Sequence, residues 1–412
     1  MEVSMTQEEI RRFTEAGSLQ TPCYIFDEDE LTGRVQQIKE ALASCSAELC
    51  FAVKANPFLI PLLDPVVGKY EVCSPGELEI CRSYGIAGDK IIFSGVVKSY
   101  DDIKTALAYP VGEITIESVR HWQILKTCVP AGVKTRVLLR LTSGAQFGME
   151  EQTIHTIIEE IQSMPDIIFA GIHFFAGTQR KRSKYEKELV MLAQFMTSLQ
   201  EKYGLVDMRL EYGPGLCVAY FEGETVEEGA EEAQRLAEWI GGQHFPYPVT
   251  IELGRYLAAS CGHYATRIMD VKQAGERKYC LIDGGIHHIN YYGQNMAMRT
   301  PVIHHIPATG RKLEESVMGS EYMICGALCT FADLVARGLI LHDPQIEDFL
   351  VFDRIGAYSV TEGSYLFLSR DLPMIYTYRK DTGIRKIRDR IAAWEINVAE
   401  RVREENAFCI KK

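Results

Sequence analysis

Eight short apolar runs, each followed by a longer amphipathic stretch, constrain this chain more than any other feature. They lie at 49–54 (LCFAVK), 69–73 (KYEVC), 90–94 (KIIFS), 112–116 (GEITI), 134–141 (KTRVLLRL), 167–174 (IIFAGIHF), 207–212 (DMRLEY) and 248–252 (PVTIE). Helical patterns fill the gaps, among them 75–84, 118–129, 150–163, 184–202 and 225–240. A strand that is apolar along its whole length is covered on both faces, and such strands alternating with helices form a parallel sheet. Eight repeats in roughly 200 residues match a (β/α)8 TIM-like barrel rather than an open doubly wound sheet. A dinucleotide-binding sheet would carry Gly-x-Gly-x-x-Gly after its first strand. Here that strand ends in Lys54-Ala55-Asn56-Pro57.

Beyond residue 255 the pattern shortens to alternating runs at 264–271, 279–282, 316–324, 349–352 and 365–367, separated by turn residues. This reads as a second, mostly β domain. The run Cys23–Phe26 is surplus to the barrel and is expected to pair in that domain. The expected organisation is α/β, with 1–28 packing in the β domain and 29–255 forming the barrel. The C-terminal β domain, a sandwich or barrel, is expected at 256–385, and 386–412 as a tail whose charged stretch 386–405 predicts a helix.

Composition narrows the partners. With 44 Lys+Arg against 56 Asp+Glu the net charge is −12, which leaves no basic stripe for nucleic acid. No apolar run approaches the ~18 residues of a membrane span, and the opening MEVSMTQEEIRRF lacks a signal-peptide core. Twelve cysteines are scattered singly with no C-x-x-C pair, so neither a zinc site nor a thioredoxin motif is indicated. Reduced thiols in a cytoplasmic enzyme, without a metal, are the expectation.

In a (β/α)8 barrel the strands' C-terminal ends face the active site, and the loops after strands 7 and 8 commonly hold phosphate. Those ends carry Lys54, Cys73-Ser74, Arg140, His173-Phe174-Phe175 with Ala176-Gly177-Thr178, Gly213-Pro214-Gly215, and Glu252-Leu253-Gly254-Arg255. Singly, each has a plain structural reading: a strand-end lysine, a core histidine, a turn. Together they place a lysine, a glycine loop, an arginine and a carboxylate in one mouth. Glycines let backbone N–H groups approach phosphate, and arginine offers a bidentate fork. An acid beside a pyridine nitrogen keeps the ring electron-withdrawing, so the set fits pyridoxal phosphate carried by a lysine.

Phe51-Ala52-Val53-Lys54-Ala55-Asn56-Pro57 resembles the cofactor-lysine segment of the fold-type III pyridoxal-phosphate decarboxylases, the ornithine/diaminopimelate group built as an alanine-racemase-like barrel with a β domain. The resemblance continues in order through Glu71–Leu78, Gln146–Gly148, Gly171–Gln179, Gly213–Gly215, Glu252–Tyr256, Asp283–Gly285, Gly326–Asp333 and Gly356–Tyr358. It implies pyridoxal 5'-phosphate as cofactor and decarboxylation of an amino acid. It implies Lys54 as the Schiff-base lysine, Glu252 at the pyridine nitrogen, and Gly213, Gly215, Gly254, Arg255, Thr178 and Tyr358 around the phosphate. Arg140, His173 and Phe175 join the cofactor-binding set. Cys329 would reach in from the second subunit of a head-to-tail homodimer and protonate Cα, with Asp333 near the substrate's distal end.

The departures narrow the substrate. Phe175 stands where the family has a ring-stacking histidine, and Pro214 replaces a glycine, removing one N–H donor. Gln146 replaces a lysine. Thr330 and Tyr291 occupy positions where diaminopimelate enzymes have an acid for the distal amine and an arginine for the distal carboxylate. Thr330, Tyr291 and Asp333 are therefore the expected substrate contacts, and diaminopimelate is not the expected substrate. Leu328-Cys329-Thr330 resembles members acting on modified amino acids, such as citrylated diamino acids or carrier-bound glutamate. The pairs His287-His288 and His304-His305 either serve such a substrate or are loop histidines without a metal. Two other readings stay open: a racemase of the same fold type, and a non-catalytic homologue.

Overall fold

Strand β1 (Cys23–Asp27) is fully buried and pairs antiparallel with β10 (Gly262–Ala274) on one side and parallel with β16 (Met374–Arg379) on the other. The surplus N-terminal strand thus joins the C-terminal sheet, as expected. The computed structural model describes residues 5, 7–15, 17–225, 229–242, 245–294, 297–308, 311 and 318–399. The chain divides into a β unit (1–31, 219–225 and 258–412) and a barrel unit (32–218 and 226–257).

The barrel strands are β2 (Glu48–Ala52), β3 (Lys69–Val72), β4 (Ile91–Phe93), β5 (Glu113–Ile116), β6 (Thr135–Arg140), β7 (Ile167–Phe175), β8 (Arg209–Gly213) and β9 (Val249–Leu253). All neighbours are parallel, and β9 returns to β2 to close the cylinder. Serines start several covering helices. Ser74 caps Pro75–Ser83 by accepting from Glu77 N at 3.1 Å, and Ser99 forms a reciprocal capping box with Asp102. The helix Glu151–Ile161 buries Ile154, Ile157, Ile158 and Ile161, the spacing of one helical face.

Inside the cylinder, Cys50, Ile92, Leu138 and Ala170 form a small apolar cluster. Towards the strands' N-terminal ends, Arg209 pairs with buried Glu113 through two nitrogens and also contacts Thr250. That charged knot fills the end of the barrel opposite the expected site.

The β unit adds β11 (Arg277–Ile282), β12 (Ile303–Ile306), β13 (Ser320–Cys325), β14 (Leu334–Leu341), β15 (Phe349–Asp353) and β17 (Gly383–Arg388), in the order β14-β13-β11-β10-β1-β16-β17, with β15 on β10 and β12 on β15. A helix Gln7–Glu15, not expected from the sequence, puts Ile10 and Phe13 into its core beside Ile25, Val351 and Tyr376. The tail needs a correction. Residues 383–388 form the edge strand β17, which points basic side chains outward while Ile384 packs on the core, and Ala393–Glu395 make one 3-10 turn. The remainder of the expected helix lies outside the described residues. Residues 365–367 are likewise not a strand but lead into a 3-10 turn, Phe367–Ser369.

Candidate active site

Lys54 follows β2 on a one-turn 3-10 helix whose flanking Val53 and Ala55 are buried, so its amine projects at the barrel mouth. Its Nζ lies 2.7 Å from Glu71 Oε2, 3.0 Å from Glu252 Oε1 and 3.6 Å from Cys73 Sγ. Cys73 in turn donates to Glu71 Oε1 at 3.0 Å. Glu71 and Glu252 are both buried, and the two acids respond oppositely. Burial and the neighbouring Glu252 charge push Glu71 up to about 7. Against the opposing effect of burial, Lys54 and His173 hold Glu252 well below the usual carboxylate range. His173 is also buried, its Nε2 3.5 Å from Glu252 Oε2, and burial lowers its basicity.

The loops after β7 and β8 are tied together. Gln179 brackets Val218, donating to its carbonyl at 2.8 Å and accepting from its N–H at 2.6 Å, and Arg180 N donates to Gly215 O at 2.8 Å. Gly215 adopts φ +64°, and a Cβ there would lie 2.0 Å from Gly177 O. A Cβ on Gly213 would come 2.5 Å from the Phe175 ring. Only glycine lets these backbones approach so closely, which leaves a cradle at the mouth. Arg255 Nε donates to Thr178 Oγ1 at 3.3 Å along the same edge. The barrel unit thus brings Lys54, His173, Phe175, Thr178, Gly213, Gly215, Glu252, Gly254 and Arg255 to the C-terminal ends of its strands. Arg140 is there as well, bound to Glu117 at 2.8 Å and packed on Phe147.

Residues to which the sequence reading gave no role also converge. Besides Glu71 and Cys73, Lys98 is buried in the loop after β4, donates to Gly95 O at 2.5 Å, and is lowered to about 8 by burial. The alternation Lys69-Glu71-Cys73 along β3 was a usable signal for the first two, since every second residue faces inward. Glu211, on β8, is buried with neither carboxylate oxygen hydrogen-bonded, and burial raises its pKa strongly.

A phosphorylated pyridine aldehyde fits this set. The amine stands against a carboxylate held ionised, the glycine cradle offers room and N–H groups, and an arginine and a threonine flank it. Pro214 supplies no N–H, and Phe175 offers the ring a face without a hydrogen bond.

In the β unit, Cys329 and Thr330 are exposed, and Phe331 beside them is fully exposed. Two expected substrate contacts are engaged within the chain. Asp333 is buried and its carboxylate is occupied by backbone, accepting from Ile286 N at 2.8 Å and Leu328 N at 2.7 Å. It fastens the loop. Tyr291 is buried against Tyr220 and Phe221, its hydroxyl donating to Asp353 O at 2.8 Å. Tyr358, at φ +68°, precedes the short helix Ser359–Glu362. His304 and His305 face opposite ways, to Asp353 at 2.6 Å and Asp348 at 2.8 Å. Among the described residues no group of three or more His, Cys, Asp or Glu could hold a metal ion, and no helix is long and apolar enough to cross a membrane.

Residues 28–259 match the family model described as the pyridoxal binding domain of pyridoxal-dependent decarboxylases. The chain is 25% identical over the full length of both proteins to the L-glutamyl-[BtrI acyl-carrier protein] decarboxylase of Niallia circulans. It is 25% identical to the 2-[(L-alanin-3-ylcarbamoyl)methyl]-2-hydroxybutanedioate decarboxylase of Staphylococcus aureus, covering 85% of this chain and 92% of that one. Among solved structures, the diaminopimelate decarboxylase of Helicobacter pylori complexed with L-lysine superposes with TM-score 0.82 at 22% identity, over 96% of this chain and 100% of that one.

Proposed function

The chain belongs to the family of pyridoxal-dependent decarboxylases, and on that premise we propose that it removes the α-carboxylate of an amino acid whose distal amine is acylated or otherwise masked. The observation that carries the reading is the Lys54 amine gripped between Glu71 and Glu252 above a glycine cradle. When bound, pyridoxal phosphate supplies an electron sink for the pair released as carbon dioxide departs.

The residues have distinct tasks. Lys54 holds the cofactor, and Glu71, poised near neutrality, accepts the proton that the lysine must lose. Glu252 stays ionised and would keep a proton on the ring nitrogen of the bound cofactor, with His173 beside it at 3.5 Å. Gly213, Gly215, Gly254, Thr178 and Arg255 would bind the phosphate. Phe175, whose ring lies 5.9 Å from Lys54 Nζ, would shield the bound ring from water. Cys329 of the partner subunit delivers the proton to Cα. Support for that assembly is the exposure of Cys329 and Phe331 and of the apolar run Leu366–Leu368, which a second copy would cover.

The substrate reading rests on Thr330, an exposed uncharged group on the Cys329 loop, and on two relatives that by name act on amino acids joined to a larger group. A lost hydrogen bond to a charged group costs about 1.5–3 kcal/mol, or roughly 10- to 200-fold in discrimination. Steady-state kinetics over diaminopimelate, lysine, ornithine and N-acylated or citrylated diamino acids test it. We expect a masked amino acid to exceed diaminopimelate in kcat/KM by at least that factor. The highest kcat/KM for diaminopimelate would overturn the substrate assignment.

A further inference from the structure

A cavity of about 470 Å³ lies wholly within the β unit, away from any residue given a catalytic task above. Arg267, Arg370 and Arg390 line it, with His287 and His288 and two acids, Asp283 and Asp371. The acids and bases are unequally committed. Asp283 already accepts from Thr21 Oγ1 at 2.6 Å, Thr266 Oγ1 at 2.5 Å and Arg267 N at 2.9 Å. Arg267 pairs with Glu347 at 2.6 Å. By contrast, Arg370 donates to Ala327 O at 3.0 Å and Arg390 to Thr21 O at 3.1 Å, carbonyl contacts that leave most of each guanidinium's five N–H donors unused. Among the described residues no carboxylate lies within ion-pair distance of either. His287 is buried, its Nδ1 has no hydrogen-bond partner, and its ring centre lies 3.7 Å from that of His288. Burial and then Arg370 push His287 down to about 4, and no acid acts on it in return. The histidine wall therefore sits in a positive field as a neutral pair.

We propose that this cavity binds a small anion bearing carboxylate or phosphate groups, held by the guanidinium forks of Arg370 and Arg390 against the His287–His288 wall. Because Arg370 also holds the carbonyl of Ala327, two residues before Cys329, an anion drawn onto it is coupled to the loop that presents that thiol. The anion has two possible sources. It is either the carboxylate-rich distal end of the substrate, which rests on the function proposed above, or a free anion acting on the loop.

Isothermal titration of the cofactor-loaded enzyme with citrate, and separately with inorganic phosphate, tests the site directly. Wild type and Arg82→Ala, an exposed arginine on a barrel helix, should bind one of them saturably. Arg370→Ala/Arg390→Ala should bind about tenfold or more weakly. Should the double variant fail to fold, as judged by its melting curve, Arg390→Ala alone supplies the comparison. If the anion belongs to the substrate, citrate will compete with a citrylated amino acid and the variants will raise KM for it. If it is free, citrate will bind without competing. No saturable binding of either anion at millimolar concentration, or equal binding by wild type and variant, overturns the proposal. Neither result touches the decarboxylation of the amino acid itself, so failure here is distinct from failure of the proposed function.

Discussion

In the barrel, Lys54 is held from two sides by buried acids, and each of those contacts comes from one unit. In the β unit, Cys329 stands in solvent beside a fully exposed phenylalanine, and only the loop beneath it is anchored, through Asp333. The first arrangement is assembled within the barrel unit; the second presents a thiol to solvent on an anchored loop. In the function proposed above, the lysine that captures the cofactor would benefit from a preset field, whereas the thiol that donates a proton would have to reach a substrate already bound. The difference teaches that burial and exposure can both be functional states of a reactive side chain.

The largest test of that contrast mixes subunits. Lys54→Ala should be colourless after incubation with excess pyridoxal phosphate and inactive, and Cys329→Ala should be coloured and nearly inactive. Randomly mixed, they should regain about a quarter of wild-type activity, since half the dimers are hybrids with one intact site of two. If subunits exchange and no activity returns, the two halves do not complement each other across an interface, and the contrast drawn here fails.

A smaller effect sharpens the account of the barrel half. The rate at which cofactor-free protein takes up pyridoxal phosphate should rise as pH passes about 7, where Glu71 becomes able to accept a proton. The Glu71→Gln variant should lose that step, with uptake slower above it by about tenfold or more. Stopped-flow absorbance measures both, and an unchanged profile in the variant would assign the step elsewhere.

The smallest effect concerns Glu211, an acid the barrel buries without a hydrogen-bond partner among the described residues. Its folded pKa is raised above the unfolded value of about 4.3. The protonated form therefore favours the folded state at low pH, and this contribution is lost as pH rises through the folded pKa. Glu211→Gln keeps a neutral group of the same shape, so its melting temperature should fall less with rising pH. Above neutrality it should exceed wild type by a few degrees, about 1 kcal/mol in a protein of this size. Parallel melting curves from pH 5 to 9 for both proteins would show otherwise.

Much of this was legible in the sequence, for physical reasons that differ by region. Barrel strands are covered on both faces, so they read as unbroken apolar runs such as 134–141, and all eight form. Edge strands must carry charge, so β17 reads as a solvated helix and turns out to be a strand. Motif positions placed Lys54, Glu252 and the glycine loop together, because a lysine or glycine at a strand end has few directions open to it. The same counting did not foresee the surroundings of Tyr291 and Asp333. It gives a position along the chain but not which way the side chain turns, and both turn inward, to a carbonyl and to two N–H groups. Lys98 escaped because nothing in its surroundings announces that a lysine there is buried.

The Arg209–Glu113 knot at the far end of the barrel has a consequence for traffic. With that end filled by paired charges and an apolar cluster beside them, the doorway of the cylinder is at the C-terminal ends of its strands. Carbon dioxide leaves by the route the amino acid entered, and any surface laid across the doorway governs arrival and departure alike.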